Sequence, residues 1–221
     1  MRTLKSVSIC LLLLCTVFSV VACQKKDVIH SEAEILAAAE EKISESVLWN
    51  RIFFIEGFPI LEGGRTTGNY QEVDPAYLES IGMSRISEII SYGETLYSSS
   101  MMALFEETLF NSIKNGVGGV STSAVCFDYT ERIDGADRFI CVMVDSNESP
   151  RFFASEVEYL FDTMKVEFNR NGRATVSLSV KKLGAEQGED TLRRLRVNLS
   201  LENEVWLLDS YTFVVFPSEE S

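Results

Sequence analysis

Residues 164–180 read MKVEFNRNGRATVSLSV, and this stretch decides the fold. Apolar and polar side chains alternate on both sides of Asn171-Gly172, a dipeptide that favours tight turns. Such alternation is typical of strands with one buried and one solvent-facing side. The stretch therefore predicts an antiparallel β-hairpin with one face in the core.

The length of the loop sets which residues of this hairpin face each other. A two-residue loop, Asn171-Gly172, places Val166 opposite Ser177, apolar against polar. A three-residue loop, Arg170 to Gly172, pairs Phe168 with Ala174, Val166 with Val176, and Met164 with Leu178. Since a slip of one residue moves every side chain to the other face, we expect the three-residue loop, with Gly172 left-handed in a bulge.

Period-two patterns continue on both sides of the hairpin. Strands are predicted at Val120–Thr130, Arg138–Asp145, Glu156–Asn169, Arg173–Leu183, Thr191–Leu201 and Val205–Phe216. Asp134-Gly135 and Glu202-Asn203 are among the turns between them. In the last hairpin, pairing across Glu202-Asn203 places Trp206 and Leu208 on the same apolar side as Leu199.

The part of the chain before these strands has helical patterns instead. Ser31-Glu32-Ala33-Glu34 matches a capping box, and apolar residues then recur at helical spacing at Leu36, Ala39, Ile43, Val47 and Phe54. Gly57 to Asp74 is rich in glycine and is interpreted as a loop. Asp74-Pro75 caps a second helix, and further helices are predicted from Ser84 to Tyr92 and from Ser99 to Asn115.

Helices followed by antiparallel strands indicate an α+β domain with the helices on one face of the sheet. We expect a single domain over residues 31–221, with a helical part at 31–116 and a curved sheet of five to six strands at 120–216. The closing segment Glu204 to Tyr211, EVWLLDSY, resembles the last strand of the NTF2-like fold. That resemblance implies a cone-shaped sheet, and a half-barrel with a helical lid is the alternative.

Residues 1–22 have the three parts of an export signal. Arg2 and Lys5 precede an apolar run from Val7 to Val21, and Ala22 is a small residue at a cleavage site. The run is about fifteen residues, shorter than the roughly twenty of a membrane-spanning helix. We therefore expect residues 1–22 to be removed.

Val20-Val21-Ala22-Cys23 resembles the lipobox of bacterial lipoproteins. The resemblance implies that the Cys23 thiol receives a diacylglyceryl group and that the protein is anchored in a cell membrane by lipid. Gln24 at the next position favours an outer membrane, or its periplasmic face, where two membranes exist. Residues 23–30 form a tether whose part after Cys23 spans at most roughly 25 Å when extended.

Charge and cysteine content limit the partners. Removal of Arg2 and Lys5 with the signal leaves 18 basic and 33 acidic residues, a formal charge of −15. Such a surface repels phosphate backbones, which argues against nucleic-acid binding. Cys126 and Cys141 remain in a compartment that permits disulfides, and either a bond between them or two buried thiols fits the sequence.

No catalytic or metal-binding motif is present. His30 is the one histidine and lies in the tether, which excludes zinc and Ser-His-Asp motifs. Arg193, Arg194 and Arg196 are the densest basic cluster, interpreted as a solvated strand face paired with local acids. We expect no enzyme activity and no cofactor.

Two functions are compatible with this sequence. The first is a non-enzymatic, surface-tethered module that binds another protein or stabilises an envelope assembly. The alternative is a protein that binds a small molecule or lipid in a pocket between helices and sheet. Its expected lining is Met101, Phe105, Phe110, Tyr211 and Phe213.

Overall fold

The computed structural model describes residues 28–68, 70–108, 129–135, 137–143, 156–184 and 191–216. In these residues the chain is an α+β structure, as predicted. The helices are α1 (Glu32–Asn50), α2 (Pro75–Ser80), α3 (Ile86–Leu96) and α4 (Ser99–Thr108), and a π-helical turn (Arg51–Ile55) follows α1 directly. No helix among the described residues is long and apolar enough to cross a membrane.

The strands form two antiparallel sheets rather than the single sheet of five to six strands that we expected. The first sheet has the order β1-β2-β4-β3 and the second β5-β6-β7-β8. Their bounds are β1 Thr66–Thr67, β2 Tyr70–Glu72, β3 Tyr129–Asp134, β4 Asp137–Met143, β5 Val157–Arg170, β6 Arg173–Lys182, β7 Leu192–Glu202 and β8 Val205–Leu208.

The predicted loop from Gly57 to Asp74 contains two of these strands, so that assignment was wrong. β2 pairs with β4 through Glu72 opposite Cys141, and the β3–β4 hairpin turns at Asp134–Asp137. The β3–β4 hairpin therefore pairs with β2, which lies in the part of the chain predicted to be helical. This pairing places the hairpin in a different sheet from β5–β8. A three-residue strand is too short to show a period in sequence, which is why the pattern of residues 57–74 indicated only a loop.

The central hairpin combines the two registers that the sequence offered. The loop has two residues, because Arg170 pairs with Arg173, and both Asn171 and Gly172 have positive φ. The predicted three-residue loop, and the pairing of Phe168 with Ala174, were therefore wrong. A bulge between Val166 and Phe168 then shifts the register by one residue, so Val166 pairs with Val176 as predicted. The bulge leaves Phe168 on the outer face. The predicted pairing of Met164 with Leu178 is absent from the register, which shifts again between Leu160 and Lys165.

The last hairpin confirms the predicted apolar face. Leu201 pairs with Trp206 and Leu199 with Leu208, although the turn residues are Asn203 and Glu204. The last strand is shorter than predicted: β8 ends at Leu208, and residues 209–216 continue without regular pairing. Thr212 in this segment is buried and bonded to side chains of α1, and these contacts replace the strand ladder.

Helix α1 packs on one face of the second sheet. Its buried residues Ile35, Ala39, Ile43 and Trp49 recur at helical spacing, whereas the predicted member Val47 is exposed. They meet the inward-facing residues of β6 and β7, which are Ala174, Val176, Leu178, Val180, Leu195, Val197 and Leu199. Ser31 precedes the helix as predicted, but its side chain makes no capping hydrogen bond.

Helix α3 crosses α1 where a glycine allows close approach. Gly93 is buried, and a Cβ atom built on it would lie 2.5 Å from Cη2 and Cζ3 of Trp49. The Trp49 ring also contacts Phe53 at 4.6 Å and Phe105 at 5.4 Å between ring centroids. The indole is therefore held on several sides and cannot move aside for a larger residue.

We predict that Gly93→Ala lowers the free energy of unfolding by about 1–3 kcal/mol, the usual cost of overpacking a core. In an exposed helix the same change is stabilising because alanine has the higher helix propensity, so the sign reports the contact with Trp49. Chemical denaturation of the two proteins measures the difference. Ser91→Ala, on the exposed side of α3, is the control and should leave stability unchanged or slightly raised. Equal stability of Gly93→Ala and the parent protein would contradict the packing.

Candidate ligand cavity

A cavity of about 430 Å³ lies between helix α2, the start of α3 and the first sheet. Its walls come from β2, β4 and the two helices. The lining residues are Arg65, Glu72, Val73, Pro75, Leu78, Glu79, Gly82, Met83, Ser84, Glu88, Arg138, Phe139 and Ile140. None of the residues that form it was predicted to line a pocket.

The floor of the cavity is apolar. Val73, Leu78, Met83 and Ile140 are all buried members of the core. The Val73 amide donates to the Ile140 carbonyl at 2.9 Å, which joins the end of β2 to β4. Val73 is thus the last residue of this segment bonded to the first sheet, and helix α2 begins two residues later.

Local signals in the sequence place helix α2 over this floor. The Asp74 carboxylate accepts a hydrogen bond from the Ala76 amide at 2.9 Å, and Pro75 occupies the first turn, as predicted. Gly82 ends the helical segment with a φ of +69°, a conformation that suits glycine. The Met83 amide then donates to the Leu78 carbonyl at 2.9 Å, which brings both side chains to the cavity.

One wall is an ion pair between Arg65 and Glu72. Glu72 is only 6% exposed, and its carboxylate accepts from the Arg65 amide at 2.9 Å, from Nε at 3.0 Å and from Nη2 at 2.9 Å. The guanidinium also lies 4.1 Å from the ring centroid of Phe139. Hydrogen bonds from the Arg65 side chain hold the pKa of Glu72 below its usual value, against the opposing effect of burial.

The rim carries both signs of charge, with acids on two sides. Glu88 accepts from the Ser84 amide at 2.6 Å and the Arg85 amide at 2.9 Å, and the Ser84 bond lowers its pKa. The remaining nitrogen of Arg65, Nη1, lies 4.0 Å from Asp134 and 3.9 Å from Asp137. The positive charge of Arg65 is thus compensated by three carboxylates, and Glu79 and Glu88 add negative charge at the mouth.

The residues predicted to line a pocket lie elsewhere. Phe105 and Tyr211 are 5.8 Å apart, Tyr211 and Phe213 5.0 Å, and Phe54 contacts all three rings, which brings the predicted aromatic residues together as packed core. Met101 is buried beside them, and Phe110 lies outside the described residues. None of the four described residues lines the cavity beside α2.

The predicted cysteine sites are described only in part. Cys23 and Cys126 lie outside the described residues, so lipidation and a disulfide stay predictions. Cys141 is buried on β4, and desolvation raises the pKa of its thiol. Among the described residues, no group of three or more histidine, cysteine and acidic side chains could hold a metal ion.

Two arginines of the basic cluster on β7 pair with an acid, as predicted, whereas Arg193 lies over the ring of Phe216. Arg194 Nη2 lies 3.1 Å and Arg196 Nη2 2.6 Å from the two oxygens of Glu167 on β5. Arg194 also donates to the hydroxyl of Ser177. The hydrogen bonds of Glu167, with Ser177 first and Arg196 next, lower the pKa of its carboxyl. These arginines stabilise the outer face of the second sheet.

Sequence reasoning missed Arg65, Glu72 and Val73 because they stand in the stretch interpreted as a loop. The available signal was the helix cap at Asp74-Pro75, which predicts that a helix begins directly after Val73. An arginine and a glutamate seven residues apart give no periodic pattern. Only the pairing of β2 with β4 brings them into the wall of a cavity.

We predict that Glu72→Gln weakens the fold and reduces its sensitivity to acid. A carboxyl whose pKa is lowered by folding stabilises the protein above its ordinary pKa, and this contribution is lost as the pH falls. At neutral pH the loss of charged hydrogen bonds should cost about 1–2 kcal/mol. Denaturation of parent and variant between about pH 7 and pH 3, across the usual glutamate range, tests both effects. Glu62→Gln, at an exposed position in the same segment, is the control, and an unchanged acid slope in Glu72→Gln would refute the role of this carboxylate.

No family model matches the chain, and no significant match was found among curated proteins. The chemistry of the cavity therefore has to be inferred from the residues that line it.

Proposed function

We propose that the mature chain is a lipid-anchored exported protein that binds a small, mostly apolar molecule in the cavity beside α2. The single observation that carries this proposal is the cavity of about 430 Å³ with an apolar floor and a charged rim. Ligand sites usually measure about 300–1,000 Å³ and combine apolar walls with a few polar groups. The cavity favours the binding of a small molecule over the first function considered, a module that binds protein.

The lining residues indicate how a ligand would be held. Val73, Leu78, Met83 and Ile140 offer an apolar surface, and the ring of Phe139 closes one side. Apolar surface removed from water contributes roughly 25 cal/mol per Å², so a ligand with an aromatic or branched aliphatic part gains most. The polar end of the ligand would face the rim at Ser84 and Glu88.

Charge restricts the class of ligand further. Glu72, Asp134 and Asp137 compensate Arg65, and the other charged residues of the lining are two acids, Glu79 and Glu88, and one base, Arg138. The whole mature chain, with the signal removed, has a formal charge of −15, and a field of this sign repels anions. The ligand is therefore uncharged or cationic.

The proposed location of the protein depends on the sequence around Cys23. The lipobox-like Val20-Val21-Ala22-Cys23 supports cleavage before Cys23 and attachment of a diacylglyceryl group to its thiol. Several acyl chains hold a protein far more firmly than one. The finer fold that we propose is a cone of the NTF2-like type for the second sheet with α1 against its concave side, supported by the long bulged strand β5.

We predict that the protein binds the uncharged probe N-phenyl-1-naphthylamine and that Ser84→Trp weakens this binding roughly tenfold, about 1.4 kcal/mol. Ser84 is exposed at the rim, so the indole obstructs the mouth without disturbing the core. Probe fluorescence measures affinity, with the Cys23→Ser mature chain in the absence of lipid. Ser87→Trp on α3 is the matched control, because Ser87 is exposed and does not line the cavity.

A second comparison tests the charge of the ligand. The sulfonated probe 1-anilinonaphthalene-8-sulfonate has the same aromatic skeleton with a negative charge and should bind more weakly than the uncharged probe. If neither probe binds, or if both tryptophan variants bind like the parent protein, the cavity is not the binding site.

We predict that membrane-extracted protein lacks residues 1–22 and carries a diacylglyceryl group on Cys23. Intact-mass spectrometry should show this mass for the parent chain and not for Cys23→Ala, because the thioether needs the cysteine sulfur. An unmodified cysteine in a mature chain free of the membrane would exclude the anchor.

A further inference from the structure

The last residues of the tether are fixed to the end of the second sheet. The Val28 amide donates to Asn171 Oδ1 at 3.2 Å, and the Asn171 amide returns a bond to the Val28 carbonyl at 2.9 Å. Asn169 Nδ2 donates to the His30 carbonyl at 2.6 Å, and the His30 amide to Asn169 Oδ1 at 3.3 Å. Four hydrogen bonds therefore hold residues 28–30 against the β5–β6 turn.

Helix α1 begins at the same place. The His30 ring meets the Trp206 ring edge-on at 5.1 Å between centroids, and Trp206 Nε1 donates to Glu34 Oε1 at 3.1 Å. The Leu201 amide donates to the Gly172 carbonyl at 2.8 Å, so the β5–β6 and β7–β8 turns lie at one end of the sheet. We call this end, formed by residues 28–30, 168–173 and 201–206, the tether end.

Exposed apolar side chains gather at the tether end. Val28, Ile29, Phe168 and Val205 are 56%, 73%, 48% and 49% exposed, and they are four of the eleven large hydrophobic residues exposed among the described part of the chain. Single exposed apolar residues are normal, whereas a contiguous exposed apolar patch marks an interaction site. Val28 and Ile29 adjoin the β5–β6 turn next to Phe168, and Val205 lies on β8 at the other edge of the sheet. Arg170 and Arg173, paired across the turn, are exposed beside Phe168.

The length of the tether limits the distance between the tether end and the membrane that would carry the anchor. Cys23 and Val28 are five residues apart in the sequence, and five residues span at most roughly 17 Å when extended. If Cys23 carries the lipid, the tether end is held within this distance of the bilayer. The opposite end of the second sheet, at Lys182–Leu183, lies about 30 Å from the tether end, because β6 has ten residues.

We propose that the tether end docks on the phospholipid surface that carries the anchor, with Ile29 and Phe168 inserted at the level of the headgroups. Apolar side chains of interfacial segments are buried about 5–10 Å at this boundary. Arg170 and Arg173 face the lipid phosphates, but Glu204 is exposed at the neighbouring turn, so the apolar side chains carry the contact. This inference rests on the proposed lipid anchor at Cys23.

The experiment uses full-length, lipidated protein in vesicles of phosphatidylethanolamine with phosphatidylglycerol. Phe168→Cys and, separately, Ile29→Cys are labelled with a nitrobenzoxadiazole fluorophore in a Cys126→Ser background, where Cys141 is buried. Leu183→Cys is the matched control, since Leu183 is equally exposed but lies at the far end of β6. Nitroxide-labelled phospholipids should quench residues 29 and 168 several-fold more strongly than residue 183.

Each other outcome separates the two proposals. Protein that floats with the vesicles but shows equally weak quenching at all three positions keeps the anchor and overturns the docking. A label at residue 168 that is shielded from water yet not quenched by lipid shows that a second copy or another protein covers this end, which also overturns it. Protein that does not float lacks the anchor, and both proposals then fail.

Discussion

The structure depends on the burial of one face of helix α1 against the second sheet. Its nineteen residues span about 28 Å, and Ile35, Ala39 and Ile43 along that face are fully buried. The two ends of this helix connect the rest of the molecule. Its first turn adjoins the tether end through the bond between Glu34 and Trp206, while its last turn places Trp49 against Gly93. The tether end and helix α3, which borders the cavity, are therefore both positioned by α1.

Directional polar contacts fix what apolar packing alone leaves free. Thr212 follows β8 without a strand partner, yet its hydroxyl lies 2.7 Å from the Ser46 hydroxyl and accepts from Asn50 Nδ2 at 2.9 Å. Tyr159 donates to the Thr212 carbonyl at 2.8 Å, and burial raises the pKa of this phenol to about 12, so it stays a neutral donor. A buried polar group costs free energy unless it is bonded. The closing segment consequently has one favourable position, across the last turns of α1.

The parts of the fold that sequence predicts are those with a local cause. The cap at Asp74-Pro75, the start of α1 after Ser31 and the apolar face shared by Leu199, Trp206 and Leu208 follow from residues near each other or from a sustained period. Sequence patterns did not predict two features, because the cause of each is not local. β2 is held by Cys141 and its neighbours nearly seventy residues along the chain, and the bulge beside Phe168 settles a conflict between turn geometry and burial that either register alone leaves unresolved. The wall of the cavity was missed with β2, since Glu72 belongs to that strand.

In the proposed lipidated form, the anchor and the tether end have different roles. If Cys23 carries the lipid, its acyl chains contribute about 0.8 kcal/mol per buried CH₂ group, so two or three of them retain the protein without help from its surface. A few apolar side chains such as Ile29 and Phe168 add little to that retention. These side chains favour one orientation of the protein, because burying this end of the second sheet costs less free energy than burying another end. Residues 28–30 are hydrogen-bonded to Asn169 and Asn171 and lead directly into α1. The orientation of the tether end therefore also sets the orientation of α1 and of the sheet packed on it.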